Sequence, residues 1–117
     1  MNEEEKANRE YRLYEFLRRA SLDDSILLRK DDWKHVEQEI HALWPDFGRK
    51  LYEYGVNLSD TERRICWMAR MNIPPLGMAT ILKRTKPAIS LARSRLYKKL
   101  HGTPGTGQML DAFIREL

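Results

Sequence analysis

The stretch from Lys83 to Leu100, KRTKPAISLARSRLYKKL, carries seven Lys or Arg residues and no Asp or Glu. Wound into a helix from about Lys86, it repeats Ile89, Ala92, Leu96 and Leu100 at the three- and four-residue spacing of one buried face. Pro87, Ser90, Leu91, Ser94 and Lys98 then turn outward. That outer face has the chemistry of a major-groove reader, which needs short or hydrogen-bonding side chains against the bases and cations at its margins. Ser90, Leu91 and Ser94 supply the first, with Leu91 suited to a thymine methyl group, and Lys86, Arg95 and Lys98 supply the second. Lys83 and Arg84 add charge just before the helix, and Thr85 is expected to cap it. Arg93 lies nearer the buried side, from where its long stem can reach a phosphate, and Tyr97 either donates its hydroxyl to one or packs. A basic run alone fits a merely solvated face equally well, so the case depends on the elements around it.

Other chemistries find no matching pattern. His35, His41 and His101 are not at ligand spacing on one face. GTPGTG at residues 102–107 follows a helical pattern and lacks the lysine and the preceding strand of a phosphate-binding loop. Cys66 is the only cysteine, which excludes an intramolecular disulfide and reads as a core thiol. Neither catalysis, a metal nor an organic cofactor is expected.

An all-α chain is expected to position the basic helix. Residues 3 to about 20 are free of Gly and Pro, with Glu early and Arg late, and Ala7, Tyr11, Tyr14 and Leu17 form a narrow stripe beside Leu13 and Phe16. Docking on its own domain is favoured over self-association, since the stripe is short for a coiled coil. After a turn at Ser21–Asp24, with Asp31 or Asp32 as cap, Trp33, Val36, Ile40, Trp44, Phe47, Leu51 and Tyr54 share one face. Pro45 interrupts this stripe, predicting a kinked helix or two helices of about 32–44 and 45–54, ended by Gly55. LSDTE at 58–62 is a capping-box start for a helix of about 60–71 that buries Ile65, Met68 and Ala69, with Cys66 at its flank. Trp67 points the other way and is the expected docking point for the N-terminal helices. Asn72 suits a left-handed turn, and Pro74 and Pro75 open a short helix of about 75–83 with Leu76, Ala79 and Leu82 inward. Only a few residues then separate it from the basic helix, the spacing of a helix-turn-helix. Met109 or Leu110, Phe113, Ile114 and Leu117 mark a final packing helix.

With 117 residues the chain makes one domain, or a small domain with an appendage. The organisation expected is a helical N-terminal segment, residues 1–57, packed on a helix-turn-helix domain, residues 58–117. The net charge of +4 conceals an asymmetry: residues 1–59 hold 10 basic and 13 acidic side chains, residues 60–117 hold 11 and 4. Basic character confined to one half is the polarity of a nucleic-acid-binding unit joined to something with another task. No apolar run approaches the roughly 20 residues that span a bilayer, and MNEEEKANRE is acidic at the start. A cytoplasmic protein with no membrane contact is expected.

Leu58-Ser59, Glu62, Ile65, Ala69, Asn72, Ala79, Leu82, Thr85, Ile89, Leu96 and Lys99-Leu100 together resemble the LuxR/GerE-type helix-turn-helix. The likeness extends through LYEF at 13–16, DDW at 31–33, WPDF at 44–47, RRIC at 63–66, AISLARSRLYKKL at 88–100 and DAFIREL at 111–117, which look like the C-terminal portion of bacterial sensor or TPR-containing transcriptional regulators. The resemblance implies a DNA-binding end whose partner is double-stranded DNA, read as a homodimer where half-sites are paired. Two positions depart from it. Pro74 and Gly77 stand where the family has a capping Ser and an acidic residue, which predicts a short or partly 3₁₀ scaffold helix. The competing expectation is a protein-interaction module that meets RNA polymerase or a regulatory partner through Trp67 and the Trp33–Phe47 face.

Overall fold

The structure, a computed structural model, describes residues 1–54 and 56–117. Gly55, the expected end of the second stripe, lies outside the described residues. The fold is all-α, with seven helices among the described residues.

Helix α1 (Glu3–Leu22) starts where Asn2 accepts the Glu5 amide at 2.8 Å, and Glu3, Glu4 and Glu5 offset the positive end of its dipole. Its buried residues are Leu13, Leu17 and Ala20, so the inward stripe lies to one side of the expected one and Ala7 and Tyr11 are exposed. The reason is where α1 finds partners: all of its buried residues lie in its second half, while an Arg9–Glu39 ion pair ties the first half to the next helix. Hydrogen bonding from Arg9 holds the Glu39 carboxyl below its usual range.

Helices α2 (Lys30–Leu43) and α3 (Pro45–Tyr52) resolve the expected kink into two helices. Trp44, at φ −135° and ψ 78°, leaves the helical region where Pro45 has no amide to bond. Trp33, Val36, Ile40, Phe47 and Leu51 are buried as expected, with Leu43 in addition. Neither Asp31 nor Asp32 is the cap itself; Asp32 accepts the Arg29 amide at 2.8 Å from inside the first turn.

Helix α4 (Asp60–Arg70) carries the expected capping box, Ser59 accepting the Glu62 amide at 3.1 Å and Glu62 the Ser59 amide at 2.8 Å. Ile65, Met68 and Ala69 are buried, and so is Cys66, which belongs to the core rather than its flank. Burial, then the nearby Glu62 charge, pushes the Cys66 thiol up to about 12, leaving it inert near neutrality. Trp67 meets Trp33 of α2 at 6.4 Å between ring centroids, so it is the docking point of α2 alone, while α1 docks on the next helix, Pro75–Leu82. Asn72 turns the chain at φ 59°.

Helix α5 (Pro75–Leu82) is a regular α-helix that turns Gly77, Met78, Ala79 and Ile81 inward, leaving Leu76 63 % exposed and Leu82 half-buried. Gly77 is there for space, because α1 packs across it: a Cβ at this position would lie 2.9 Å from the Ser21 Cβ and 3.0 Å from the Ile73 Cγ2. Gly77→Ala should therefore destabilise by about 1–2 kcal/mol in urea unfolding, overpacking outweighing the roughly 1 kcal/mol of helix propensity gained. A more stable alanine variant would show that α1 does not lie this close.

Helices α6 (Lys86–His101) and α7 (Gly107–Glu116) complete the chain, and α7 packs on both α6 and α4. One hydrophobic core, with Leu17, Val36, Phe47, Ile65, Met78, Leu96 and Ile114 among its members, takes residues from all seven helices.

Candidate nucleic-acid interface

Two turns of chain fix where α6 starts. Lys83 adopts the left-handed conformation at φ 57° and ends α5, and the Arg84 amide returns to the Ala79 carbonyl at 2.9 Å. Thr85 then accepts the Ala88 amide at 3.2 Å and caps α6, with Pro87 in its first turn. A helix, a three-residue turn and a second helix thus follow without slack. At the far end Gly102, at φ 76°, closes α6 by donating to the Lys98 carbonyl at 2.7 Å.

The inner face of α6 consists of Ile89, Leu96 and Leu100 with Arg93, and Ala92 is half-buried at its edge. Arg93 corrects the expectation of a cation that snorkels to a phosphate: it is only 4 % exposed and donates from two nitrogens to the Asp111 carboxylate of α7, its Nε at 3.2 Å. Gly107 makes room for this guanidinium, since a Cβ there would lie 2.6 Å from the Arg93 Cζ. Tyr97 packs rather than facing outward, its ring 4.2 Å from that of His101 and against Gly105, where a Cβ would meet it at 2.2 Å. Phe113 and Tyr54 stand edge-on to His101 at 4.5 and 5.5 Å.

The remaining expected site residues lie outward or at the margin. Lys86, Ser90, Arg95 and Lys98 are exposed, and Leu91 is 48 % exposed. Ser94 is half-buried and donates its hydroxyl to the Leu91 carbonyl at 3.1 Å. Arg84 is exposed in the turn, whereas Lys83 reaches back to the Asp24 carbonyl and ties the α1–α2 turn to the start of α6. Lys99 points to the opposite flank and pairs with Glu62 at 2.8 Å. Burial alone would raise the Glu62 carboxyl, but bonds from Lys99 and Ser59 outweigh it and hold it below its usual range. Among the described residues no ion pair engages Lys86, Arg95 or Lys98, so the unpaired charge of α6 lies beside Ser90 and Leu91.

The rival surface is largely internal: Trp33 and Phe47 are buried, and Trp67 is half-buried against Trp33. Among the described residues no three His, Cys, Asp or Glu side chains group as metal ligands, and no helix is long and apolar enough to cross a membrane. Sequence reasoning missed the Arg93–Asp111 pair, as it did the bond from Lys83 to the Asp24 carbonyl. A signal was present, since Arg93 falls on the Ile89–Leu96 stripe and a buried guanidinium requires a carboxylate.

Comparison of the chain with family models, with curated proteins and with solved structures finds no match.

Proposed function

We propose that the chain is a sequence-specific DNA-binding unit of a bacterial transcriptional regulator working in the cytoplasm, with α6 laid in the major groove. The observation that supports this most is the division of α6 into two faces. Its inner side is fastened by Ile89, Leu96, Leu100 and the Arg93–Asp111 pair, while the side chains of Ser90, Leu91, Arg95 and Lys98 project without a hydrogen-bond or ion-pair partner among the described residues. Phosphate contacts from Arg84, Lys86, Arg95 and Lys98 supply most of the affinity, and Ser90 and Leu91, with Ser94 beside them, supply base preference. The reading includes a homodimer where half-sites are paired and assigns no catalytic step.

An NMR titration with duplex DNA at low and high salt tests it. Shifts confined to α6 and residues 83–85 that fade as salt rises support the proposal; absence of shifts on α6 even at low salt overturns it and favours a protein-interaction module. Lys98→Ala should weaken binding nearly uniformly across DNA sequences and reduce the slope of log K against log salt by about 1. An unchanged slope would remove Lys98 from the phosphate contacts.

A further inference from the structure

Helix α1 has two sides, and the fold uses one of them. Leu13, Leu17 and Ala20 enter the core, and Arg9 pairs with Glu39 of α2. Glu4, Ala7, Tyr11, Arg18 and Leu22 lie away from these, within about 60° of arc at 3.6 residues per turn, with half-buried Tyr14 at the edge. All five are exposed, Tyr11 by 64 % and Leu22 by 70 %. Among the described residues no ion pair engages Glu4 or Arg18.

One exposed tyrosine is ordinary on a protein surface. What sets this face apart is its order along the helix. Glu4 stands seven positions before Tyr11 and Arg18 seven positions after it, and seven residues are close to two helical turns, so all three share one line. A line with opposite charges at equal distances from an aromatic centre is complementary to itself when turned end for end. The helix dipole accounts for acids at the start of α1 and bases near its end, but it acts on every face alike and does not leave Tyr11 and Leu22 in water.

We propose that α1 pairs with α1 of a second copy of this chain, antiparallel about a twofold axis near Tyr11. The two Tyr11 rings meet at the centre, and Glu4 of each copy lies beside Arg18 of the other. A parallel pair would set Glu4 against Glu4 and Arg18 against Arg18, so the charges select the antiparallel one. One helix face on another is a small contact, at or below the roughly 1,200 Å² where stable interfaces begin, which sets a dissociation constant of about 10–100 µM. Every residue of this seam belongs to α1, so the pairing goes beyond the reading of α6 and does not need DNA.

Sedimentation equilibrium of the full chain without DNA, at about 5–500 µM, tests it. A monomer–dimer equilibrium is expected. Tyr11→Glu places two carboxylates at the axis and should weaken the dimer at least about tenfold, with the circular dichroism of the fold unchanged. Arg18→Glu should weaken it by a similar factor, and adding Glu4→Arg to that variant should restore it, because the charges then match in reverse. A chain that stays monomeric at the highest concentration, or a dimer that Tyr11→Glu leaves intact, overturns the surface. A dimer insensitive to Arg18→Glu, which in a parallel pair only exchanges one repulsion for another, overturns the antiparallel arrangement. A loss that Glu4→Arg does not repair overturns the pairing of Glu4 with Arg18.

Discussion

Replacing Asp111 with alanine is expected to cost about 3–5 kcal/mol of stability, the range for removing one partner of a buried ion pair. The size follows from what is left behind. Arg93 is 4 % exposed and Asp111 5 %, so the guanidinium would lose its counter-charge in a place water does not reach. It would remain charged beside Gly107, at the start of α7, where the helix dipole is positive and adds to the penalty. Replacing both partners, as Arg93→Met with Asp111→Leu, removes the stranded charge and should recover most of the loss. Urea unfolding of the two proteins, followed by circular dichroism at neutral pH, measures the difference. A single substitution costing less than about 1 kcal/mol would mean that water reaches the pair. Because α7 packs on both α6 and α4, the pair also fixes the inner side of the candidate DNA-reading helix. Loss of α7 docking should therefore lower DNA affinity through α6 without altering any outward residue.

Local signals were the most legible part of the chain. The Ser59–Glu62 capping box, the left-handed Asn72, the Thr85 cap and the break at Pro45 each depend on a few adjacent residues, and each is present. Face assignments fared less well wherever a helix met an unexpected neighbour. Periodicity places Leu76 inward on α5, but α1 arrives on the side of Gly77 and Met78, and Leu76 is left in solvent. A glycine in a helix reads as a propensity cost when only its own helix is considered; here it is the contact point for Ser21, 56 positions earlier. Arg93 was misplaced for the same reason, since α7 turns it inward, and the loop before α7 decides for packing at Tyr97, which the sequence left open. On the outer face of α6 no neighbour intervenes, and Ser90, Leu91, Arg95 and Lys98 lie where the helical period puts them.

Among substitutions on that face, Ser90→Glu should have the largest effect on DNA affinity, weakening it by about 100-fold or more, the consequence of several kcal/mol of like-charge repulsion. Ser90 is exposed and lies one turn beyond Lys86 and one turn before Ser94, so a carboxylate there enters the groove among base-edge acceptors and phosphates. It also stands at pairing distance from Lys86, diverting that cation from the DNA backbone. Folding should change by no more than about 0.5 kcal/mol, because the position is on the surface and makes no hydrogen bond from its side chain among the described residues. Ser90→Ala removes one hydroxyl and introduces no charge, so its loss should stay within about tenfold. Salt separates the two variants further: the repulsive part of the glutamate effect is screened as ionic strength rises, and its penalty shrinks, whereas the alanine penalty should not. Fluorescence anisotropy on a duplex selected from a random pool gives all three affinities at each salt concentration. Full binding by the folded Ser90→Glu protein would mean that a different face of α6, or a different helix, meets the DNA.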